Sequence, residues 1–189
     1  MKDIVIDGFG GHAKSVADCI ERQGKYHIVG YTDVEDKHTR YAYLGTDEEL
    51  SHLFAVGIKH AVVGTGYMGK SSIREKIYED LKTIGFSLPV IVDPSAIISE
   101  TAEVQEGTFI GKGVIINAEA NVGKMVIINT KALVEHECVI GDFAHVAVGA
   151  VLCGQVDIGK AVFIGANTTI IQCKKVDSGR LIPAGMILR

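Results

Sequence analysis

The chain has 189 residues, of which 47% are hydrophobic and 22% charged, and its formal net charge at pH 7 is −4. This composition is typical of a globular protein of one or two domains, and the lack of a basic block argues against nucleic acid as the main partner. No stretch approaches the ~18 uninterrupted apolar residues of a membrane helix, so the sequence predicts a cytoplasmic protein without a membrane span or signal peptide.

The N-terminal half of the chain alternates apolar strand segments with helical ones. Strands are predicted at residues 3–7, 28–33, 61–63 and 86–90. Helices are predicted at residues 13–23, after the capping box Thr46-x-x-Glu49, and after the capping box Ser72-x-x-Glu75, the last with Ile73, Ile77, Leu81 and Ile84 on its buried side. This alternation predicts a small parallel sheet, hence a Rossmann-like α/β domain over residues 1–90.

A glycine-rich segment follows the first predicted strand. The run from Gly8 to Ala13, Gly-Phe-Gly-Gly-His-Ala, satisfies the dinucleotide pattern G-x-G-x-x-A, and Asp33 ends the second strand twenty residues after Ala13. Glycines let the backbone approach a phosphate, and the following helix offers free N–H groups. Because about 90 residues supply little more than half of a dinucleotide fold, the pattern favours a nucleotide or nucleotide-sugar over NAD. The alternative is a tight strand-to-helix turn without a ligand.

The remaining residues carry an unbroken hexapeptide repeat. After the turn at Asp93-Pro94-Ser95, every sixth residue from Ile98 to Leu188 is aliphatic, and the position four residues later is mostly small or β-branched. One hexad is too short to bury its aliphatic side chain, so three hexads must close each triangular coil and the coils must stack. The pattern predicts a parallel β-helix of about five coils over residues 91–189.

The cysteines do not suggest a disulfide or metal framework. None of the four has paired C-x-x-C spacing, and Cys138 occupies a small-residue slot of the repeat. We therefore expect reduced, mostly structural thiols and no metal.

Ionisable residues gather in one hexad, at Glu135-His136-Glu137, and His145 follows nine residues after His136. The unperturbed pKa of a histidine lies near neutrality, so His136 is suited to act as a general base, with Glu137 or Glu135 supplying a carboxylate that orients the ring. The alternative is a solvated turn on the outside of the prism. Two histidines half a coil apart are too few for a zinc site of the β-helical carbonic anhydrase type.

Three segments together resemble the bacterial sialic-acid O-acetyltransferase and UDP-amino-sugar N-acetyltransferase family of hexapeptide-repeat acyltransferases. They are the N-terminal Gly-x-Gly-Gly-His-x-Lys loop, the connector Asp93-Pro94-Ser95-Ala96, and Asn129-Thr130 with the segment from Glu135 to Asp142. The resemblance spans almost the whole chain. It implies a Rossmann-like domain followed by a left-handed β-helix, a homotrimer, and acetyl-CoA bound between neighbouring helices.

The resemblance also implies residue roles. His136 would be the general base, Glu137 the acidic residue that strengthens it, and His145 a contact of acetyl-CoA. The other implied positions are Gly8, Phe9, Gly10, Gly11, His12, Thr32, Asp33 and Gly64 in the acceptor's nucleotide site, Asn129 near the acceptor, and Gly154 and Ala166 along the pantetheine arm.

The implied reaction is N-acetylation of a nucleotide-linked amino sugar by direct attack on acetyl-CoA. The alternatives are O-acetylation of a sugar or sialic acid, and a non-catalytic role as a sugar-nucleotide-binding assembly protein. The end of the repeat departs from the family's rhythm, with Lys174 and Arg180 in small-residue slots, which predicts an irregular last coil. Lys174, Lys175 and Arg180 are candidates to contact the phosphates of coenzyme A, although edge protection is the commoner use of such residues.

Overall fold

The structure, a computed structural model, describes residues 1–66 and 72–189. They form two compact units, residues 1–66 with 72–89 and residues 90–189. In the described part of the chain, no helix is long and apolar enough to cross a membrane.

The first unit is a three-stranded parallel sheet with a helical segment after each strand. Its elements are β1 (Lys2–Asp7), α1 (Gly11–Gln23), β2 (Tyr26–Thr32), a 3-10 turn (Asp47–Glu49), α2 (Leu50–Ala55), β3 (His60–Val63) and α3 (Ser72–Ile84). β1 lies at the centre, paired in parallel with β2 on one side and β3 on the other. The last four residues of β1 are buried, as a central parallel strand requires. The predicted α/β class is confirmed.

Helix α1 forms because small and apolar residues recur at helical spacing. It buries Ala13, Val16, Ala17 and Ile20 on one face. The helix ends at Gly24, whose φ of 67° lies in the left-handed region, and the N–H of Gly24 donates to the carbonyl of Ile20 at 3.1 Å. At its other end, α1 begins shortly after β1, next to the glycine-rich segment.

The predicted strand at 86–90 is wrong. Ser87 forms only an isolated bridge to His60. Phe86 and Leu88 are buried, which explains the strand-like alternation of the sequence. Pro89 has no N–H with which to continue a ladder, so the pairing stops there.

The predicted caps and buried face of the other helices also need correction. The Thr46 side chain makes no capping bond; the Thr46 carbonyl instead accepts the N–H of Glu49 and closes the 3-10 turn. On α3, Ile73 is 64% exposed and Arg74 is 2% exposed. A period of 3.6 residues places Arg74, Ile77 and Leu81 on one face and Ile73 beside it. Ser72 lies inside α3, and what precedes it is outside the described residues.

The second unit is a parallel β-helix built from strands of two residues each. They are β4 (Ile91–Val92), β5 (Ile97–Ile98), β6 (Glu103–Val104), β7 (Phe109–Ile110), β8 (Ile115–Ile116), β9 (Asn121–Val122), β10 (Ile127–Ile128), β11 (Leu133–Val134), β12 (Val139–Ile140), β13 (His145–Val146), β14 (Val151–Leu152), β15 (Asp157–Ile158), β16 (Phe163–Ile164), β17 (Thr169–Ile170), β18 (Lys175–Val176), β19 (Leu181–Ile182) and β20 (Ile187–Leu188). Three parallel sheets result, which we call sheet 1 (β4-β7-β10-β13-β16-β19), sheet 2 (β5-β8-β11-β14-β17-β20) and sheet 3 (β6-β9-β12-β15-β18).

The hexapeptide repeat fills the interior of this prism. The second residue of each strand points inward with the small-residue slots, and nearly all of these positions are fully buried. Cys138 is one of them, and its thiol donates to the carbonyl of Cys153 at 3.2 Å. All four cysteines are free thiols, as predicted.

The expected irregularity of the last coil is wrong. Strands β18, β19 and β20 pair in register with the coil above, through Asp157 and Lys175, Phe163 and Leu181, and Thr169 and Ile187. The inward positions stay aliphatic to the end of the chain, and the pairing depends on them rather than on Lys174 and Arg180.

Candidate active site

The His136-Glu137 pair lies in the turn between β11 and β12. His136 Nδ1 and Glu137 Oε2 are 3.0 Å apart, and the two side chains are about half exposed. A proton on Nδ1 donates to this carboxylate and leaves the Nε2 lone pair free to take a proton from a substrate. The hydrogen bond from His136, and then that from Gln155, hold the pKa of the Glu137 carboxyl below its usual range. The pair has the arrangement of a general base and its orienting carboxylate.

The structure decides which glutamate faces the imidazole. Glu135 Oε2 accepts the backbone N–H of His136 at 3.2 Å and the side-chain amide of Asn117 at 3.0 Å. Glu135 therefore stabilises the turn, whereas Glu137 contacts the ring.

Gly154 lies one coil after His136 and directly against its ring. A Cβ built on Gly154 would stand 2.6 Å from both Cε1 and Nε2 of His136. The imidazole thus occupies the space that any other side chain at this position would need. Gly154 was expected beside the pantetheine arm, and the structure places it against the base.

A second group lies around His145, at the start of β13 in sheet 1. His145 is 8% exposed and packs edge-on against Phe163, with ring centroids 5.0 Å apart. Asn129 Nδ2 and His145 Nε2 are 3.5 Å apart, at the limit of a hydrogen bond. Asn129 and Ala166 both follow strands of sheet 1, whereas His136 follows a strand of sheet 2. Sheet 2 therefore separates this group from the base.

The glycine-rich loop joins β1 to α1 and is tied to the end of β2. The N–H of Gly8 donates to the carbonyl of Thr32 and the N–H of Phe9 to Asp33 Oδ2, both at 2.8 Å. Burial raises the pKa of Asp33, but hydrogen bonds from the Phe9 and Val34 amides and from Lys37 outweigh it and hold that pKa below its usual range. Asp33 is thus an ionised carboxylate that holds the loop in place.

Packing requires glycine at some positions of this region and not at others. Gly8 has a φ of +79°, and a Cβ there would stand 2.5 Å from Thr65 Oγ1. A Cβ on Gly64 would overlap the carbonyl oxygen of Gly8. At Gly10 and Gly11, by contrast, a Cβ would meet nothing within 4 Å. The fold explains Gly8 and Gly64 but not the other two.

An open pocket of about 340 Å³ lies beside the loop. Its lining residues are Phe9, Lys14, Asp18, Thr39, Arg40 and Tyr41. The rings of Phe9 and Tyr41 are 5.4 Å apart, and the Arg40 guanidinium stands 4.9 Å from the Tyr41 ring centre. The pocket therefore combines two cations with an aromatic wall, next to the N-terminus of α1.

A pocket of about 370 Å³ lies elsewhere in the first unit, where Asp7 ends β1. It is lined by Asp7, Asp47, Glu48, Leu50, Ile77, Asp80, Thr83 and Ile84. Asp7 is 3% exposed; burial and the neighbouring Asp47, Asp33 and Asp80 raise its pKa to about 8. No role was predicted for Asp7, although a carboxylate ending a buried apolar strand is a signal visible in the sequence.

Among residues 1–66 and 72–189, no cluster of His, Cys, Asp and Glu could hold a metal ion.

Comparison with known proteins shows what the chain resembles. Residues 3–81 match the PglD N-terminal domain. The structure resembles the acetyltransferase domain of PglB from Neisseria gonorrhoeae FA1090, with a TM-score of 0.91 and 29% identity over 100% of this chain and 92% of that one. It also resembles a histidine-to-alanine mutant of GDP-perosamine N-acetyltransferase from Caulobacter crescentus, with a TM-score of 0.88 and 27% identity over 100% of this chain and 89% of that one. Over its whole length the chain is similar to members of the hexapeptide-repeat sugar acyltransferase family. As in that family, its β-helix is left-handed.

The match to curated sequences is shorter. GDP-perosamine N-acetyltransferase of Escherichia coli O157:H7 is 27% identical over 105 residues, which are 56% of this chain and 48% of that protein. The chain spans less than half the length of the curated relatives it matches.

In this structure the predicted site residues form three groups. The structure brings together His136, Glu137 and Gly154 at one corner of the prism, Asn129 and His145 at another, and Gly8 to His12 with Asp33 and Gly64 in the first unit. Thr32 is fully buried, so its side chain is not accessible to a ligand. Its carbonyl accepts the N–H of Gly8 in the loop. Lys175 Nζ pairs with Asp157 at 3.0 Å on the surface of sheet 3.

Sequence reasoning missed Gln155 and Arg40. Gln155 becomes visible only once the repeat is wound at 18 residues per coil, because it then falls one coil after Glu137. Nothing in the sequence around Arg40 indicates that it lines the pocket beside the loop.

Proposed function

We propose that this protein transfers the acetyl group of acetyl-CoA to the amino group of a nucleotide-linked amino sugar. The observation that carries the proposal is the hydrogen bond between His136 Nδ1 and Glu137 Oε2, which leaves Nε2 as a base at an exposed corner of the prism. Two similar proteins support the substrates. The Caulobacter crescentus enzyme was solved in complex with CoA and GDP-perosamine, and the PglB domain in complex with acetyl coenzyme A.

The mechanism that fits these residues is a direct transfer. His136 Nε2 takes a proton from the acceptor amine as its nitrogen attacks the thioester carbonyl, the C–S bond breaks, and the thiolate of coenzyme A leaves and is protonated. An acyl-enzyme is disfavoured because Cys138, the thiol nearest in sequence, points into the prism, and burial raises its pKa. Glu137 stabilises the imidazolium that forms during the attack.

We place the nucleotide of the acceptor on the glycine-rich loop. Gly10 caps α1 without any side-chain bond, so no capping side chain competes with a diphosphate at the start of the helix. Open space at Gly10 and Gly11, which the fold does not require, is what close approach of a phosphate would need. Lys14 supplies positive charge in the adjoining pocket, where Arg40 is paired with Glu21. In this proposal His12, Asp33 and Gly64 shape the loop and do not form an extended surface against the nucleotide.

We propose a homotrimer whose subunits pack along sheet 2. The first residue of each strand in that sheet points outward, and the resulting column comprises Ile97, Ile115, Leu133, Val151, Thr169 and Ile187. Ile97 is 65% exposed and Ile187 58% exposed, an apolar face that water disfavours. This face lies between the His136 corner and the Asn129-His145 corner. A copy packed on it would bring one subunit's base beside its neighbour's His145, with acetyl-CoA between them along Gly154 and Ala166.

The test is thiol release from acetyl-CoA across a panel of UDP-, GDP- and CMP-linked amino sugars, each paired with its hydroxyl counterpart. Turnover with an amino sugar and none with its hydroxyl counterpart is expected. Turnover only with hydroxyl sugars would replace N-acetylation by O-acetylation, and no turnover with any acceptor would contradict the enzymatic proposal. Sedimentation at micromolar concentration gives the second readout, since a stable 20.2 kDa monomer would contradict the shared site.

A further inference from the structure

A column of side chains runs along one corner of the prism, behind the base. From Gly107 to Gly185, each turn of the β-helix contains one residue with positive φ, and Glu137, Gln155 and Cys173 occupy this position in successive coils, with φ of 57°, 59° and 58°. Because one coil is 18 residues, equivalent backbone positions stack and their side chains leave the turn in parallel directions. Gln155 therefore lies between the glutamate above and the cysteine below.

Hydrogen bonds connect this column to the imidazole. Gln155 Nε2 donates to Glu137 Oε2 at 3.1 Å, and the same oxygen lies 3.0 Å from His136 Nδ1. At its other end, Gln155 Oε1 accepts the thiol of Cys173 at 3.3 Å. One carboxylate oxygen thus receives both the imidazole proton and the amide proton.

The direction of these bonds matters. The Cys173 thiol is a donor to Oε1, so it favours the amide orientation that presents the NH₂ group to Glu137. The flipped amide would set Oε1 against a carboxylate oxygen, which is repulsive. The column therefore selects one amide orientation.

We infer that Gln155 is a positioning residue for the His136-Glu137 base. It holds the Glu137 carboxylate in the rotamer that accepts from Nδ1, and so keeps the free lone pair on Nε2. This inference rests on the proposed acetyl transfer. Without Gln155, half-exposed Glu137 would be free to turn into solvent, and the imidazole would lose the contact that selects its tautomer.

A purely structural role is the competing explanation, since Gln155 also ties one coil to the next. Asn167 provides a matched control, because it is an amide in the same left-handed turn position, with φ of 54°, at a different corner of the prism. Both substitutions place alanine in a left-handed turn, and Asn167→Ala is the more demanding one because asparagine tolerates that conformation better than glutamine. Only Gln155→Ala removes a donor to Glu137.

The experiment compares Gln155→Ala, Asn167→Ala and wild type by acetyl-transfer kinetics, by melting temperature, and by ¹⁵N NMR of labelled imidazoles. The His136 signals are assigned by their loss in His136→Ala. We expect Gln155→Ala to lower kcat roughly tenfold with KM for acetyl-CoA unchanged, because the variant loses a hydrogen bond to the charged carboxylate of Glu137. We also expect a shift of the His136 ring away from the Nδ1–H tautomer. Asn167→Ala should leave the His136 tautomer unchanged.

Two Cys173 variants test whether the thiol contributes to the position of Gln155. Cys173→Ser keeps a donor to Gln155 Oε1 and should behave as wild type, whereas Cys173→Ala should fall between wild type and Gln155→Ala. An unchanged kcat and tautomer in Gln155→Ala, or an equal shift of the tautomer in Asn167→Ala, would overturn the inference. The tautomer is measured without substrate, so it tests Gln155 even if His136→Ala keeps full turnover and the proposed function fails.

Discussion

Gly154→Ala is the substitution that best tests the geometry of the base. The added methyl would stand 2.6 Å from His136 Cε1 and Nε2, whereas ordinary contacts begin near 3.4 Å. The ring must therefore retreat by roughly 1 Å, away from its 3.0 Å contact with Glu137. A catalytic group misplaced by about 1 Å costs roughly 10²-fold in rate. We expect kcat to fall by about that factor.

The same substitution should leave the fold intact. Gly154 does not have positive φ, so alanine fits its backbone. Replacing glycine at such a position removes freedom from the unfolded chain and stabilises proteins by about 0.4–1 kcal/mol. The melting temperature should be unchanged or slightly raised, which separates lost catalysis from lost structure.

A double-mutant cycle decides between the two explanations of Gly154. If the methyl acts by displacing the imidazole, Gly154→Ala in the His136→Ala background should cost nothing further. If Gly154 instead makes room for the pantetheine arm, the KM for acetyl-CoA should rise equally in both backgrounds. Wild-type kcat in Gly154→Ala would refute the ring-displacement argument.

Three further outcomes are expected. His136→Ala should lower turnover by roughly 10²–10⁴-fold with the oligomer intact by sedimentation, the usual size of general-base assistance, and near-normal transfer would make His145 the next candidate. Gly10→Val should weaken binding of the nucleotide-sugar and spare acetyl-CoA in calorimetric titrations, because the side chain would fill open space at the N-terminus of α1; equal loss of both ligands would indicate a structural turn. The pKa of Asp7 is raised from 3.8 to about 8 in the folded protein, so protonated Asp7 favours the folded state. Stability is therefore lost as pH rises from about 4 to 8, by at most roughly 6 kcal/mol at about 1.4 kcal/mol per pH unit. Asp7→Asn should flatten this dependence of stability on pH in denaturant titrations, while Glu79→Gln, at an exposed position of α3, should leave it unchanged. The same dependence in wild type and Asp7→Asn would contradict the burial argument.

Short-range patterns determined the architecture. The six-residue period from Ile98 to Leu188 can be satisfied only by a coil that returns to the same face every third hexad, so the β-helix followed from the sequence alone. The glycine-rich run and the cluster around His136 were visible for the same reason, since their residues are neighbours in the chain. Predictions failed where the outcome depended on distant partners. The segment 86–90 alternates like a strand, but its pairing depends on what the edge at His60 can accept. On α3 the prediction failed only at Ile73, which is exposed while Arg74 is buried, because helical periodicity does not say how far the buried face extends around the helix.

The tertiary structure decided what each site residue touches. Sequence could not choose between Glu135 and Glu137, because both adjoin His136; the left-handed turn directs Glu137 to the ring and leaves Glu135 with Asn117. Gln155 and Gly154 are 18 or more residues from what they contact, and only winding at 18 residues per coil brings them to the base. Likewise, the loop glycines look alike in sequence, yet packing explains Gly8 and Gly64 and leaves Gly10 open. Composition and periodicity therefore determine how this chain winds, whereas the pKa of Asp7 and the position of the base depend on desolvation and contacts that exist only after distant segments have packed.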